Sequence, residues 1–191
     1  MEGTSHEACA IAGHQKLDNL VLFYDDNDIS IEGSTDIAMS EDVGGRFAAY
    51  GWNVINIDGN CVKQIKAAIE LARVTKGKPT IIIGKTKIGK GSANLEGSEK
   101  THGAPLGAEE LAATKAKLGF DPEKSFVVDD DVKALIADKL AAKKDEYTQW
   151  NARFAEFQAS FDDAKKALFT ALTTKAVPAD IKDQLLAAVP E

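Results

Sequence analysis

The chain has 191 residues, enough for one well-buried core and too few for three domains. Of its residues 44% are hydrophobic and 28% charged, the balance of an ordinary globular protein, and no run approaches the ~20 apolar residues of a membrane span. The net charge of −7 speaks against nucleic acid as the main partner, because that association is driven by neutralising phosphates.

The N-terminal residues Met1 to Thr4 lack the basic, apolar and cleavage regions of a secretory signal, and Cys9 and Cys61 have neither metal nor redox spacing. Both cysteines read as small hydrophobes of a reducing compartment, so the cytoplasm is the expected location. Thr4 or Ser5 can cap a helix over His6–Lys16, with Glu7 placed as in a capping box. The small and apolar residues of that helix predict packing on several sides.

Leu20-Val21-Leu22-Phe23-Tyr24 is an unbroken apolar run, as expected of a strand buried on both faces of a parallel sheet. It breaks into Asp25-Asp26-Asn27-Asp28, four side chains with hard oxygens. In open α/β sheets ligands collect beyond the carboxyl ends of strands, and such a cluster there suits Mg²⁺ or Ca²⁺ with a phosphate-bearing cofactor. A polar turn that merely solvates the strand end fits the same residues.

Ser40-Glu41-Asp42 then opens a helix that stops at Gly51, Trp52 to Ile57 alternates as a strand, and Asp58-Gly59-Asn60 turns into a helix. Val62, Ile65, Ala68, Ile69 and Ala72 recur at helical spacing, Gly77-Lys78-Pro79 ends that helix, and Thr80-Ile81-Ile82-Ile83 is a second fully buried strand. Strand, helix, strand, helix, strand at this spacing predicts a right-handed parallel α/β layer. A long Gly- and Lys-rich loop, Lys85 to Gly107, follows, with helical periodicity from Ala108 to Leu118. Beyond Asp121-Pro122 the chain is rich in Ala, Lys, Asp and Glu and reads as successive helices lying against the sheet layer, then a connector.

Within this frame, an Asn27 side-chain oxygen and a main-chain carbonyl two residues on can face one cation in a tight loop. His102, between Thr101 and Gly103, suits a proton donor, acceptor or phosphate ligand, and equally an ordinary surface loop. His6 and His14 fit packing or surface positions of the first helix. Gly89-Lys90-Gly91-Ser92 hints at phosphate binding without completing a Walker pattern. Glu2 and Glu7 form either a coupled carboxylate pair or a charge complement to the helix dipole.

The ordered blocks Met1-Glu2-Gly3-x-Ser5-His6-Glu7-Ala8, Tyr24-Asp25-Asp26-Asn27-x-Ile29-Ser30-Ile31-x-Gly33, Arg46-Phe47-x-Ala49-Tyr50-Gly51-Trp52, Lys85-Thr86-x-Ile88-Gly89-x-Gly91-Ser92 and His102-Gly103-Ala104-Pro105-Leu106-Gly107 resemble the transketolases, through about Gly119. The resemblance implies an incomplete parallel-sheet thiamine-diphosphate-binding fold followed by C-terminal helices. Residues 1–119 would be the later half of the diphosphate-side domain, and 120–191 a helical extension and inter-domain connector. It implies thiamine diphosphate with Mg²⁺ or Ca²⁺, and transfer of a two-carbon ketol unit from a ketose phosphate to an aldose phosphate.

By the same resemblance Asn27 and the Ile29 carbonyl are metal ligands, Ile31 and Asp25 lie beside the thiazolium, and His102 meets diphosphate and substrate hydroxyls and shuttles protons. Glu2 and Glu7 match acidic residues of a carboxylate network across a dimer interface. The family's Gly-Asp-Gly, whose Asp is a further metal ligand, would fall just before Met1, and a Met also stands at this point inside family members. The pyrimidine-binding domain would come from elsewhere, in a homodimer or a complementing chain. A dihydroxyacetone synthase, or a non-catalytic interaction module of the same fold, fits the retained motifs as alternatives.

Overall fold

A computed structural model of the chain describes residues 3–189, so Glu2 lies outside the described residues. They form two compact units, the first extending to Ser125 and the second beginning at Phe126.

In the first unit, helix α1 (Ser5–His14) leads to strand β1 (Val21–Asp26), a two-stranded hairpin β2 (Ile29–Ser30) and β3 (Gly33–Ser34), and helix α2 (Val43–Ala49). Strand β4 (Asn53–Asp58), helix α3 (Val62–Val74), strand β5 (Thr80–Lys85) and helix α4 (Ala108–Leu118) complete it. Local chemistry sets several boundaries. Asp42 caps α2 by accepting from the Gly45 amide at 2.9 Å. Gly119, at φ +81°, ends α4 in the left-handed conformation that glycine adopts without penalty. Thr4 is the N-cap of α1, but its side chain makes no capping bond, so the expected capping box is not formed there.

The sheet is parallel in the order β1-β5-β4. In β5, Thr80 to Gly84 are all buried, as expected of a central strand in a two-sided layer. Strand β1 differs from its expectation: its residues alternate, and Val21 and Phe23 are each 44% exposed. Two facts account for this. β1 is the terminal strand among those described, and α3 packs against β4 and β5, leaving the same face of β1 uncovered.

On the opposite face lies the core: Ala12 of α1, Val43 and Phe47 of α2, Trp52, Ile81 and Ile83, with Leu22, Tyr24, Val54 and Met39 against them. Phe47 and Trp52 meet edge-to-face at 5.0 Å, and the Trp52 indole N–H donates to the Cys9 carbonyl at 2.8 Å, tying α2 and β4 to α1. The approach is close enough to require glycine at position 13. A Cβ there would lie 1.9 Å from the Tyr50 carbonyl oxygen.

The second unit consists of α5 (Asp130–Ala159), α6 (Asp163–Thr174) and α7 (Ile181–Ala187). None of its described residues is buried, and large apolar side chains such as Leu135, Leu140, Leu172 and Leu186 stand exposed instead of forming a core of their own. Its ring contacts are concentrated in one place: Trp150 stacks on Phe154 at 4.9 Å, and Phe154 and Phe161 both meet Phe169 of α6.

Candidate cofactor site at the strand ends

The three parallel strands end in register. Asp25 and Ile57 flank Gly84, and Asp26 and Asp58 flank Lys85. The chain leaving β1 turns sharply, with Asp28 at φ +61°. Asn27 builds that turn: its Oδ1 accepts from the Ile29 amide at 3.0 Å and its Nδ2 donates to Asp25 Oδ2 at 3.2 Å. Asp25 is held from its other oxygen by the Thr86 hydroxyl. Lys85 bridges Asp26 at 3.3 Å and Asp28 at 2.5 Å, and the bond to Asp28 holds its ammonium above the usual range. Burial, reinforced by the charges of Asp26 and Asp28, pushes the Tyr24 hydroxyl up, so it stays a proton donor beside this acidic loop.

An open cleft of about 930 Å³ lies over these strand ends. Asp25, Asn27, Ile29, Ile31 and His102 all line it, although His102 comes from the loop after β5, far along the chain. Ile31, at the tip of the β2–β3 hairpin, is 71% exposed. Glu7 is exposed on the first turn of α1 and does not line the cleft. His6, expected to serve packing or surface, does line it. Its ring contacts Arg46 Nη1 at 2.9 Å, and Arg46 is ion-paired with Glu41, another residue of the cleft wall. No local pattern announces this, because His6 and Arg46 stand 40 residues apart.

Among the described residues, no group of three or more His, Cys, Asp or Glu side chains is placed to hold a metal ion. The available donors are oxygens of the kind Mg²⁺ and Ca²⁺ take. Asn27 Oδ1 is fixed by its bond to Ile29 and keeps a second lone pair for a cation. With the Ile29 carbonyl it suits part of a six-oxygen set, the rest of which water and phosphate can supply.

The loop bearing His102 is fastened to α4. Glu110 Oε1 accepts from the Ser92 hydroxyl at 2.5 Å and the Asn94 amide at 2.8 Å, while Oε2 accepts from Asn94 Nδ2 at 2.9 Å. These bonds, the Ser92 hydroxyl first, draw the Glu110 carboxyl down to about 2. A carboxyl lowered in the folded state contributes stability above its unfolded range and loses it as pH falls through the folded value. Titration followed at the Asn94 amide and the Glu110 carboxyl carbon should therefore show no step in the usual carboxylate range and one near about 2. A step at ordinary glutamate pH would mean the clasp is not formed.

Parallel strands with an oxygen-rich loop at their carboxyl ends define the class of α/β domains that seat a phosphate-bearing cofactor there. The family described as "Transketolase, thiamine diphosphate binding domain" matches residues 1–178. Transketolase 2 of Xanthobacter flavus is 46% identical over 162 residues, 84% of this chain and 23% of that protein. The transketolase of Staphylococcus aureus strain MRSA252 is 41% identical over 187 residues, 97% of this chain and 28% of that protein. Among solved structures, transketolase from Leishmania mexicana superposes with TM-score 0.79 at 38% identity, covering 100% of this chain and 28% of that one. A Pichia stipitis transketolase complexed with sedoheptulose-7-phosphate gives 0.76 at 39% identity, covering 91% and 26%. The chain belongs to the transketolase family. It spans about a quarter of the length of these relatives.

Proposed function

We propose that the chain supplies the diphosphate-side half of a thiamine-diphosphate site for ketol transfer between sugar phosphates, with Mg²⁺ or Ca²⁺ as the bound cation. What supports this most directly is the cleft: five residues from two separate blocks of sequence, four around the Asn27 turn and His102, line one cavity at the strand ends.

In this reading Asn27 Oδ1 and the Ile29 carbonyl hold the cation that anchors the diphosphate. The exposed Ile31 offers the cofactor ring an apolar contact. Asp25, tied to Thr86 and Asn27, fixes the turn beneath it. When bound, thiamine diphosphate supplies the electron-accepting chemistry of carbon–carbon cleavage, and the protein supplies binding, orientation and electrostatics. His102, open to the cleft, donates to diphosphate or substrate hydroxyl oxygen and moves protons there. Glu7, with Glu2, serves a carboxylate network toward a second subunit or a complementing chain that brings the pyrimidine-binding domain. Residues 120–191 act as the helical extension and connector.

The test is paramagnetic. Mn²⁺ added with thiamine diphosphate should broaden amide signals of residues 25–31 and the His102 imidazole in the chain, and the chain alone should show no ketol transfer. Broadening confined to other acidic stretches such as Asp129–Asp131, or turnover by the purified chain, would overturn the proposal.

A further inference from the structure

The loop between β5 and α4 is long, yet it is pinned along the whole of α4. Glu110, in the first turn, takes three hydrogen bonds from Ser92 and Asn94. Thr114, one turn on, accepts from the Ala93 amide at 3.1 Å, and Lys117 donates to the Ser92 carbonyl at 2.7 Å. Ser92 and Thr114 are two of three buried polar residues among those described, so the seam is anchored in the interior at these two, while Asn94 lies exposed and Glu110 half-buried at its rim. Gly91 backs onto Leu118, where a Cβ would come within 3.2 Å of the side chain.

From this seam the loop returns to the cleft. Its Gly89 backbone packs on Thr101, with only 2.9 Å between a hypothetical Cβ and that side chain. Thr101 closes a short 3₁₀ turn, Glu99–Thr101, capped by Ser98, and His102 follows directly. The His102 amide donates to the Glu99 carbonyl at 2.8 Å.

We propose that Glu110 is a positioning residue: its carboxylate fixes the turn at residues 92–95 and, through the Gly89–Thr101 contact, sets where His102 stands in the cleft. The functional consequence rests on the reading above, in which His102 meets the cofactor. A carboxylate suits this place because all three of its partners are donors, and two of them come from the one residue Asn94. Glutamine would set an amide N–H against Asn94 Nδ2, a clash relieved only by turning the Asn94 amide over. A bare helix-capping role for Glu110 would stabilise α4 and leave His102 where it is.

The experiment uses the 191-residue chain with isotope-labelled histidine. Asn94→Asp sets carboxylate against carboxylate, and Asn94→Asp with Glu110→Gln restores an amide–carboxylate pair in reverse. The single variant should speed exchange of the Ala93, Asn94 and Leu95 amides about tenfold and move the His102 ring resonance. The reversed pair should return both toward wild type. Ser92→Ala, which removes a single bond, gives the same readings if Asn94→Asp does not fold. Faster exchange with an unmoved His102 resonance overturns the proposal. Adding thiamine diphosphate with Mn²⁺ to the wild type separates the two readings. A His102 ring that answers to the clasp variants but not to the cofactor leaves the positioning intact and removes its functional reading. A ring that answers to the cofactor but not to the variants does the reverse.

Discussion

Phe47→Ala is expected to destabilise the first unit by about 3–5 kcal/mol, a large share of the roughly 5–15 kcal/mol that holds a typical domain together. Phe47 is 1% exposed and sits where α2 meets the sheet, edge-on to Trp52 and to Tyr50, whose ring centroid is 5.7 Å away. Alanine would leave a cavity between elements whose backbones cannot close on it, because α1 already touches the end of α2 through Gly13 and Tyr50. The indole N–H of Trp52, bonded to the Cys9 carbonyl, is the natural reporter. Urea unfolding followed at that resonance should show a markedly lower midpoint, with the signal broadened even without denaturant. An unchanged midpoint would mean that the Phe47 contacts are not what joins α1 and α2 to the sheet.

Asn27→Ala is expected to weaken cation-dependent cofactor binding by about 100-fold, the upper end of what losing an outer-sphere partner typically costs. The substitution removes the oxygen proposed to hold the cation and also frees the Ile29 amide and Asp25 Oδ2, the two bonds that shape the turn. Asn27→Asp separates these contributions. It keeps an oxygen for Ile29 and the cation but sets a second negative charge against Asp25. Manganese broadening of residues 25–31 should vanish in the alanine variant and persist, weaker, in the aspartate variant. Equal broadening in wild type and Asn27→Ala would remove Asn27 from the ligand set.

The sequence carried much of this structure. Thr80-Ile81-Ile82-Ile83 reads as a central strand because its bulky β-branched residues fall on both faces, and β5 is buried from Thr80 to Gly84. Helix α4 runs over its expected residues, Ala108–Leu118, because glycines bracket it. Strand β1 was misjudged for a physical reason: an apolar run records that both faces can be covered, not whether this chain covers them. The sequence blocks also pointed to the residues that line the cleft. They could not point to the His6–Arg46–Glu41 chain or to the Glu110 clasp. Both join side chains many residues apart, and neither has a periodic signature.

The sheet order also bears on how the chain is made. Strand β1 carries the Asn27 turn, yet its one partner among the described strands is β5, and the Lys85–Asp26 pair closes a loop of 59 residues. At the usual pace of about 5–20 residues per second, a ribosome would deliver β5 roughly 3–12 s after β1. Over that interval β1 lacks β5, the partner it has among the described strands. The strand ends that line the cleft are thus made apart and joined only when β5 arrives, and until then an apolar strand edge is open to any holding factor that recognises one.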